Sequence, residues 1–197
     1  MHIRNTLELA LLITLLSCAN GWSAEIEIGA EGPNFSAVGI DDEEFSLDSV
    51  KDAKLVVLCF TCNGCPWARA YEERMIEFAK VYEAKGVPLI GINSNNREET
   101  LDDMKQHATD AGFNFPYVFD ESGDVARAYG AKVTPHFFVL DKDRKVAYRG
   151  AFDSGERQPE HGYLVPAVEA LLEGKTPEAQ STNARGCTIK LKLAAQN

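Results

Sequence analysis

Two cysteines three positions apart, Cys62 and Cys65, carry the clearest chemical signal in the sequence. With Asn63 and Gly64 between them, they stand after the apolar run Lys54 to Phe60 (KLVVLCF) and before a segment of helical periodicity. Unpaired N–H groups at a helix start carry partial positive charge, which stabilises a thiolate placed there. Such a thiolate attacks a partner disulfide, and the second cysteine reaches back to release the partner. Structural zinc uses the same spacing but needs a second pair or a Cys/His set to match, and the sequence offers only scattered candidates. The strand–CxxC–helix context therefore favours a redox pair that closes to a disulfide when oxidised, with no metal or cofactor required.

The other candidate residues take their meaning from this pair. Cys59 lies inside the apolar run and reads as a small buried residue. Cys187 follows Arg185-Gly186 in a polar tail. A free exposed thiol is a liability in an oxidising compartment, so Cys187 is expected to reach Cys62 and Cys65 as a resolving or protecting partner. Thr134-Pro135 precedes a second apolar run. A cis bond there, facing the pair, would open the Thr134 backbone to strand pairing with an incoming peptide. His136 could tune a thiolate or join Cys62 and Cys65 on copper, although strand alternation favours a packed histidine. Asn93, Ser94 and Asn95 read as turn residues that could line the same rim.

The elements that must position these residues are legible in outline. Residues 25–53 suggest a small hairpin ahead of the core. The run ending at Phe60 is expected to be a central strand covered on both faces. Tyr71, Met75, Phe78 and Tyr82 recur at i, i+4, i+7 and i+11, one apolar stripe of a helix that Gly86 stops. Val87 to Ile92 reads as a second buried strand. Residues 97–111 read as a helix capped from Asn95-Asn96. Tyr117 to Phe119 is expected as a strand, Asp124 to Tyr129 as a helix, and His136 to Leu140 as a strand whose hairpin partner is Lys145 to Tyr148. A last helix is expected over 162–173. This order makes an α/β sandwich with a mixed sheet.

From Ile28 onward the chain resembles the peroxiredoxin-like branch of the thioredoxin superfamily. The resemblance is carried in order by VVLCFTCNGCPWARAYEERM, IGINSNN, FPYVFDESGDVARAYGAKVTPHFFVLDKDRKVAYRGAFD and GCTIK. It implies a three-layer α/β/α thioredoxin-like fold with a mixed central sheet, an N-terminal hairpin and a peroxiredoxin-type insertion. It also implies that Cys62 is the nucleophile, Cys65 the second cysteine, and Thr134-Pro135 a cis-proline loop that binds substrate. Two departures stand out. The strand Leu55 to Phe60 lacks the buried carboxylate that thioredoxins keep there, so a protein-supplied proton acceptor is expected to be missing. Thr61 stands four residues before Cys65 and one before Cys62, not the three that peroxide attack requires.

The ends and the bulk composition fix the setting. Arg4 and the apolar run Leu7 to Ala19 are shorter than the about 20 apolar residues of a membrane helix. They read as an export signal over 1–24, with small residues at Ser23 and Ala24 for cleavage and lipidation at Cys18 as a weaker variant. A redoxin domain over 25–174 and a tail over 175–197 carrying Cys187 follow. A net charge of -10 repels phosphate backbones and anionic lipid heads, so nucleic acid is not an expected partner. No membrane span is expected in the mature chain. The expected function is an exported (periplasmic or secreted) thiol–disulfide oxidoreductase acting on protein or small-molecule thiols and disulfides. Its rivals are a thiol peroxidase and a copper carrier using Cys62, Cys65 and His136.

Overall fold

The computed structural model of the chain describes residues 24–155 and 160–192. Most of the expected export signal, with Ser23 and Cys18, lies outside the described residues.

The sheet forms around the most apolar run. All six residues of β3 (Val56–Thr61) are buried. It lies parallel to β4 (Leu89–Asn93), which lies parallel to β5 (Tyr117–Phe119). On its other side β3 pairs antiparallel with β7 (His136–Leu140), and β7 with β8 (Val146–Gly150). The expected hairpin, β1 (Ser36–Gly39) and β2 (Glu44–Ser46), joins through an antiparallel β1–β5 pair. The strand order is β2-β1-β5-β4-β3-β7-β8. A separate two-stranded ladder joins β6 (Val133–Thr134) to β9 (Cys187–Thr188).

Strand alternation divides the core into two layers. Val57 and Cys59 face α2 (Glu72–Tyr82) and α5 (Leu164–Leu172), packing with Met75, Phe78, Phe137 and Val168. Val56, Leu58 and Phe60 face the opposite layer with Ile90, Phe138 and α4 (Asp124–Tyr129). The stripe Tyr71, Met75, Phe78 and Tyr82 is buried as its spacing predicts. Tyr71 itself is the N-cap residue of α2, after the short helix α1 (Pro66–Arg69).

Helix α5 falls slightly inside the expected span of 162–173, and the larger shift from the sequence expectation is in a second helix. Helix α3 (Leu101–Ala111) starts four residues later than position 97. Its N-cap is Thr100, whose hydroxyl accepts the Asp103 N–H at 3.2 Å while Asp103 Oδ2 accepts the Thr100 N–H at 2.9 Å. This reciprocal capping box outcompetes the Asn pair upstream. Residues 94–100 are thereby left as a loop over the end of β4. Among the described residues, no helix is long and apolar enough to cross a membrane.

Candidate active site

Strand β3 delivers Cys62 directly after its last residue, at a position flanked by β4 and β7. The chain then turns through Asn63 and Gly64, and Cys65 becomes the N-cap residue of α1. Pro66 occupies the first helical position, where a missing N–H leaves no bond unmade. The Ala68 N–H donates to Cys65 Sγ at 3.4 Å. Cys62 and Cys65 are only 6% and 2% exposed, whereas Cys187 is half-buried.

Thr134 meets both sulfurs. Its hydroxyl lies 3.2 Å from Cys62 Sγ, and its carbonyl oxygen accepts the Cys65 thiol at 3.2 Å. The Thr134–Pro135 peptide bond is cis, as the resemblance implies. The tail returns to the same place: Cys187 pairs in antiparallel register with Thr134, and Thr188 with Val133. Cys62, Cys65 and Ala68 form one small buried cluster against which Trp67 and Cys187 pack.

The structure supplies a carboxylate that the sequence did not suggest. Glu99, from the loop before α3, is 8% exposed. It accepts the Asn63 N–H and the Gly64 N–H, each at 2.9 Å, so both peptide groups between the cysteines hang on one side chain. Asn93 Nδ2 donates to it at 2.6 Å and Asn95 Nδ2 at 3.4 Å. The Tyr117 hydroxyl donates to Asn63 Oδ1 at 2.9 Å and accepts from Asn93 at 3.0 Å. The expected gap on β3 is real, but Glu99 places a carboxylate beside the pair from another direction. Asn93 and Asn95 support this carboxylate, while Ser94 donates to Asp120 at 2.7 Å. Glu99 was hidden in a run of charged residues; its one local signal was Thr100-x-x-Asp103, which places it outside the helix.

These contacts separate the two thiols electrostatically. The Cys65 sulfur is pushed down to about 4, first by the Cys62 thiol that donates to it. The Cys187 thiol, the Thr134 hydroxyl and the Ala68 N–H add to this and outweigh burial. Cys62 is pushed up by its bond to Cys65, by burial and by the charge of Glu99, with the Thr134 hydroxyl opposing. Cys187 is pushed up to about 11, by burial and then by the charge and hydrogen bond of Cys65. Of the two, Cys65 is the sulfur favoured as thiolate and Cys62 the one held as thiol, while Cys65 in its protonated form has the Thr134 carbonyl as acceptor.

His136 does not join the cysteines. It pairs with Phe60 in the sheet and packs on Phe138, with ring centroids 4.4 Å apart. Its Nε2 lies 2.9 Å from Glu25 Oε1, and the imidazole holds the Glu25 carboxyl below its usual range. Among the described residues, no three His, Cys, Asp or Glu side chains are grouped to hold a metal ion, so the rival copper site of Cys62, Cys65 and His136 is not assembled, and His136 is the packed histidine that strand alternation favours. Beside the pair runs a groove of about 280 Å³ whose lining includes Trp67, Tyr71, Pro135, Asp153 and Arg185.

A mixed sheet with a C-x-x-C at a helix start, set against the Thr134-Pro135 loop, defines a thioredoxin-fold thiol–disulfide oxidoreductase. More particularly, residues 28–149 match the AhpC/TSA family, and the chain belongs to it. It is 30% identical over 122 residues to the thiol-disulfide oxidoreductase ResA of Bacillus thuringiensis subsp. konkukian, a match covering 62% of this chain and 68% of that one. A solved structure of a hypothetical protein from Sinorhizobium meliloti is 32% identical with a TM-score of 0.80, covering 87% of this chain and 98% of the other. A putative thiol:disulfide interchange protein DsbE from Chlorobium tepidum shares the fold at 24% identity and a TM-score of 0.58, over 64% of this chain and 85% of its own.

Proposed function

We propose that this oxidoreductase acts outside the cytoplasm on protein or small-molecule thiols and disulfides, with every mixed disulfide formed on Cys62. In the reducing direction Cys62 passes its proton to the Cys65 thiolate and attacks a substrate disulfide, and one substrate sulfur leaves as a thiolate. Cys65 gives that proton to the departed substrate thiolate and, as a thiolate again, attacks Cys62 Sγ; the Cys62–Cys65 bond forms, the Cys62–substrate bond breaks, and the second substrate sulfur leaves. The substrate gains the two electrons that the pair loses. In the oxidising direction a substrate thiolate attacks Cys62 and Cys65 departs.

The observation that carries this reading is the contact set of the Cys65 sulfur. A thiol of low pKa is both present as the attacking thiolate and fast to leave. Cys65, the less exposed of the two at 2% against 6%, thus suits the closing and opening of the pair, which leaves the bond to substrate to Cys62. Thr134 serves both states, since its hydroxyl reaches Cys62 and its backbone lies at the ladder edge where a substrate strand would dock. The groove at Trp67 and Pro135 offers adjoining room for the substrate's side chains. Export is supported by the N-terminal charge-then-apolar order of the sequence.

The test is insulin disulfide reduction by the chain in the presence of a small dithiol. The wild type is expected to turn over, and Cys62→Ser to fall to the uncatalysed rate. Full turnover by Cys62→Ser would remove Cys62 from the reaction.

A further inference from the structure

The ladder edge at Thr134 is already occupied. Residues 186–189 lie along it, with the strand Cys187–Thr188 placing Cys187 opposite Thr134 and the Ile189 N–H donating to the Lys132 carbonyl at 2.9 Å. The placement is built rather than incidental. A Cβ on Gly186 would overlap the Thr134 carbonyl oxygen, so only glycine lets the tail pass this close. Farther on, Asn95 Oδ1 accepts the Lys190 N–H at 2.8 Å and Asn96 Oδ1 accepts the Lys192 N–H at 2.7 Å. The Lys190 carbonyl accepts the Arg97 N–H at 3.1 Å. The loop that carries Glu99 under the cysteine pair therefore also ties down the tail. Ile189 is buried against the core. The result sets Cys187 against the cluster of Cys62 and Cys65, and of the three it is the cysteine most open to solvent.

We propose that the tail strand is a built-in substrate mimic and that Cys65 is the shared sulfur of two alternative disulfides, Cys62–Cys65 and Cys65–Cys187. This rests on the reading of Cys62 and Cys65 as the redox pair. In the exchange the Cys187 thiol attacks Cys65 Sγ in the oxidised pair. The Cys65–Cys187 bond forms as the Cys62–Cys65 bond breaks, and Cys62 leaves as a thiolate that takes up the proton Cys187 gives. No electrons enter or leave the protein. The step moves the disulfide from two buried sulfurs to one that a partner can reach, and frees Cys62. Cys65 is the shared member because its sulfur lies 3.2 Å from the carbonyl of Thr134, the residue opposite Cys187 in the ladder, within the cluster that holds Cys62 and against which Cys187 packs. An external strand seeking the Thr134 edge must displace residues 186–189, whereas a small thiol can reach Cys187 without doing so.

Oxidation of the full chain with glutathione disulfide, acid quenching, alkylation of the remaining thiols and peptide mapping without reductant test this directly. In the wild type both Cys62–Cys65 and Cys65–Cys187 linkages are expected. Cys62→Ser is expected to lose both Cys65 and Cys187 from alkylation through their joining. Gly186→Ala, which must lift the tail, is expected to abolish the Cys65–Cys187 linkage while Cys62–Cys65 persists. Circular dichroism of each variant establishes that it is folded. A folded Cys62→Ser in which Cys65 and Cys187 both stay alkylatable, or a folded Gly186→Ala that still joins them, overturns the proposal. Insulin turnover by the wild type separates the two readings. Turnover without any Cys65–Cys187 linkage defeats only this inference, and the linkage without turnover defeats the proposed reaction.

Discussion

The carboxylate of Glu99 accepts the backbone N–H of Asn63 at 2.9 Å, and with it the turn between the two cysteines is fixed by a residue from a distant loop. Its second oxygen takes the Gly64 N–H at the same distance. A buried carboxylate with several donors is worth more than a neutral acceptor, and removing it strands the donors. Glu99→Gln turns one accepting oxygen into an amide that faces other N–H groups. The reduced variant is expected to lose roughly 1–3 kcal/mol of stability, read from the urea midpoint at constant slope. Because the Glu99 charge disfavours the Cys62 thiolate, the same change should lower the pH at which Cys62 is alkylated in a Cys65→Ser background. An unchanged or higher alkylation midpoint contradicts this role.

The depressed Cys65 thiol has a sign that can be followed by pH. Its folded value of about 4 lies below the ordinary 9.0, so the contribution is complete above about 9 and is lost as pH falls through 4. The stability of the reduced protein relative to the oxidised one, which lacks this thiol, should rise with pH across that window. Thiolate ultraviolet absorbance should appear near the low end of the window. In Cys62→Ala it should move upward, since the Cys62 thiol is the largest cause of the shift. A thiolate step that stays near 9 in the wild type excludes the assignment.

Thr134→Val tests the hydroxyl separately from the backbone. The substitution keeps the β6 strand and the side-chain shape but removes the group 3.2 Å from Cys62 Sγ. Since that hydroxyl favours the Cys62 thiolate, its loss should raise the pH needed for Cys62 alkylation, the opposite direction to Glu99→Gln. The Thr134–Cys187 register should persist, seen as an undiminished Cys65–Cys187 linkage. An alkylation midpoint that falls in Thr134→Val contradicts the contact.

Stabilising the thiolate form stabilises the reduced pair, which makes the disulfide more oxidising. The potential of the Cys62–Cys65 couple is therefore expected above the roughly −270 mV of thioredoxin. Equilibration against glutathione and analysis by alkylation reads it. A more reducing value would show that the charge on Cys65 is offset elsewhere.

Local pattern made much of this visible in the sequence. The apolar run into Phe60, the stripe from Tyr71 to Tyr82 and the C-x-x-C between them are each set by neighbours in the chain. The cis Thr134–Pro135 bond came from resemblance, because spacing alone does not distinguish the isomers. Glu99 was illegible for a physical reason: Arg97, Glu98 and Glu99 look like a solvated first helical turn. Only the competition won by the Thr100–Asp103 capping box turns that segment into a loop and Glu99 inward. Cys187 was expected at the site, but nothing local specifies that it arrives as a strand in register with Thr134. That register depends on the edge that β6 offers to the tail, on Gly186 and on the side chains of Asn95 and Asn96.

The most direct measurement of the central claim is trapping of the mixed disulfide. Cys65→Ser and Cys62→Ser, each also carrying Cys187→Ser, are exposed to a disulfide-containing protein and mapped without reductant. The account predicts a stable adduct through Cys62 in Cys65→Ser and no adduct in Cys62→Ser. An adduct through Cys65, or peroxide consumption that survives in Cys62→Ser and vanishes in Cys65→Ser, would contradict it and move the reacting sulfur to Cys65.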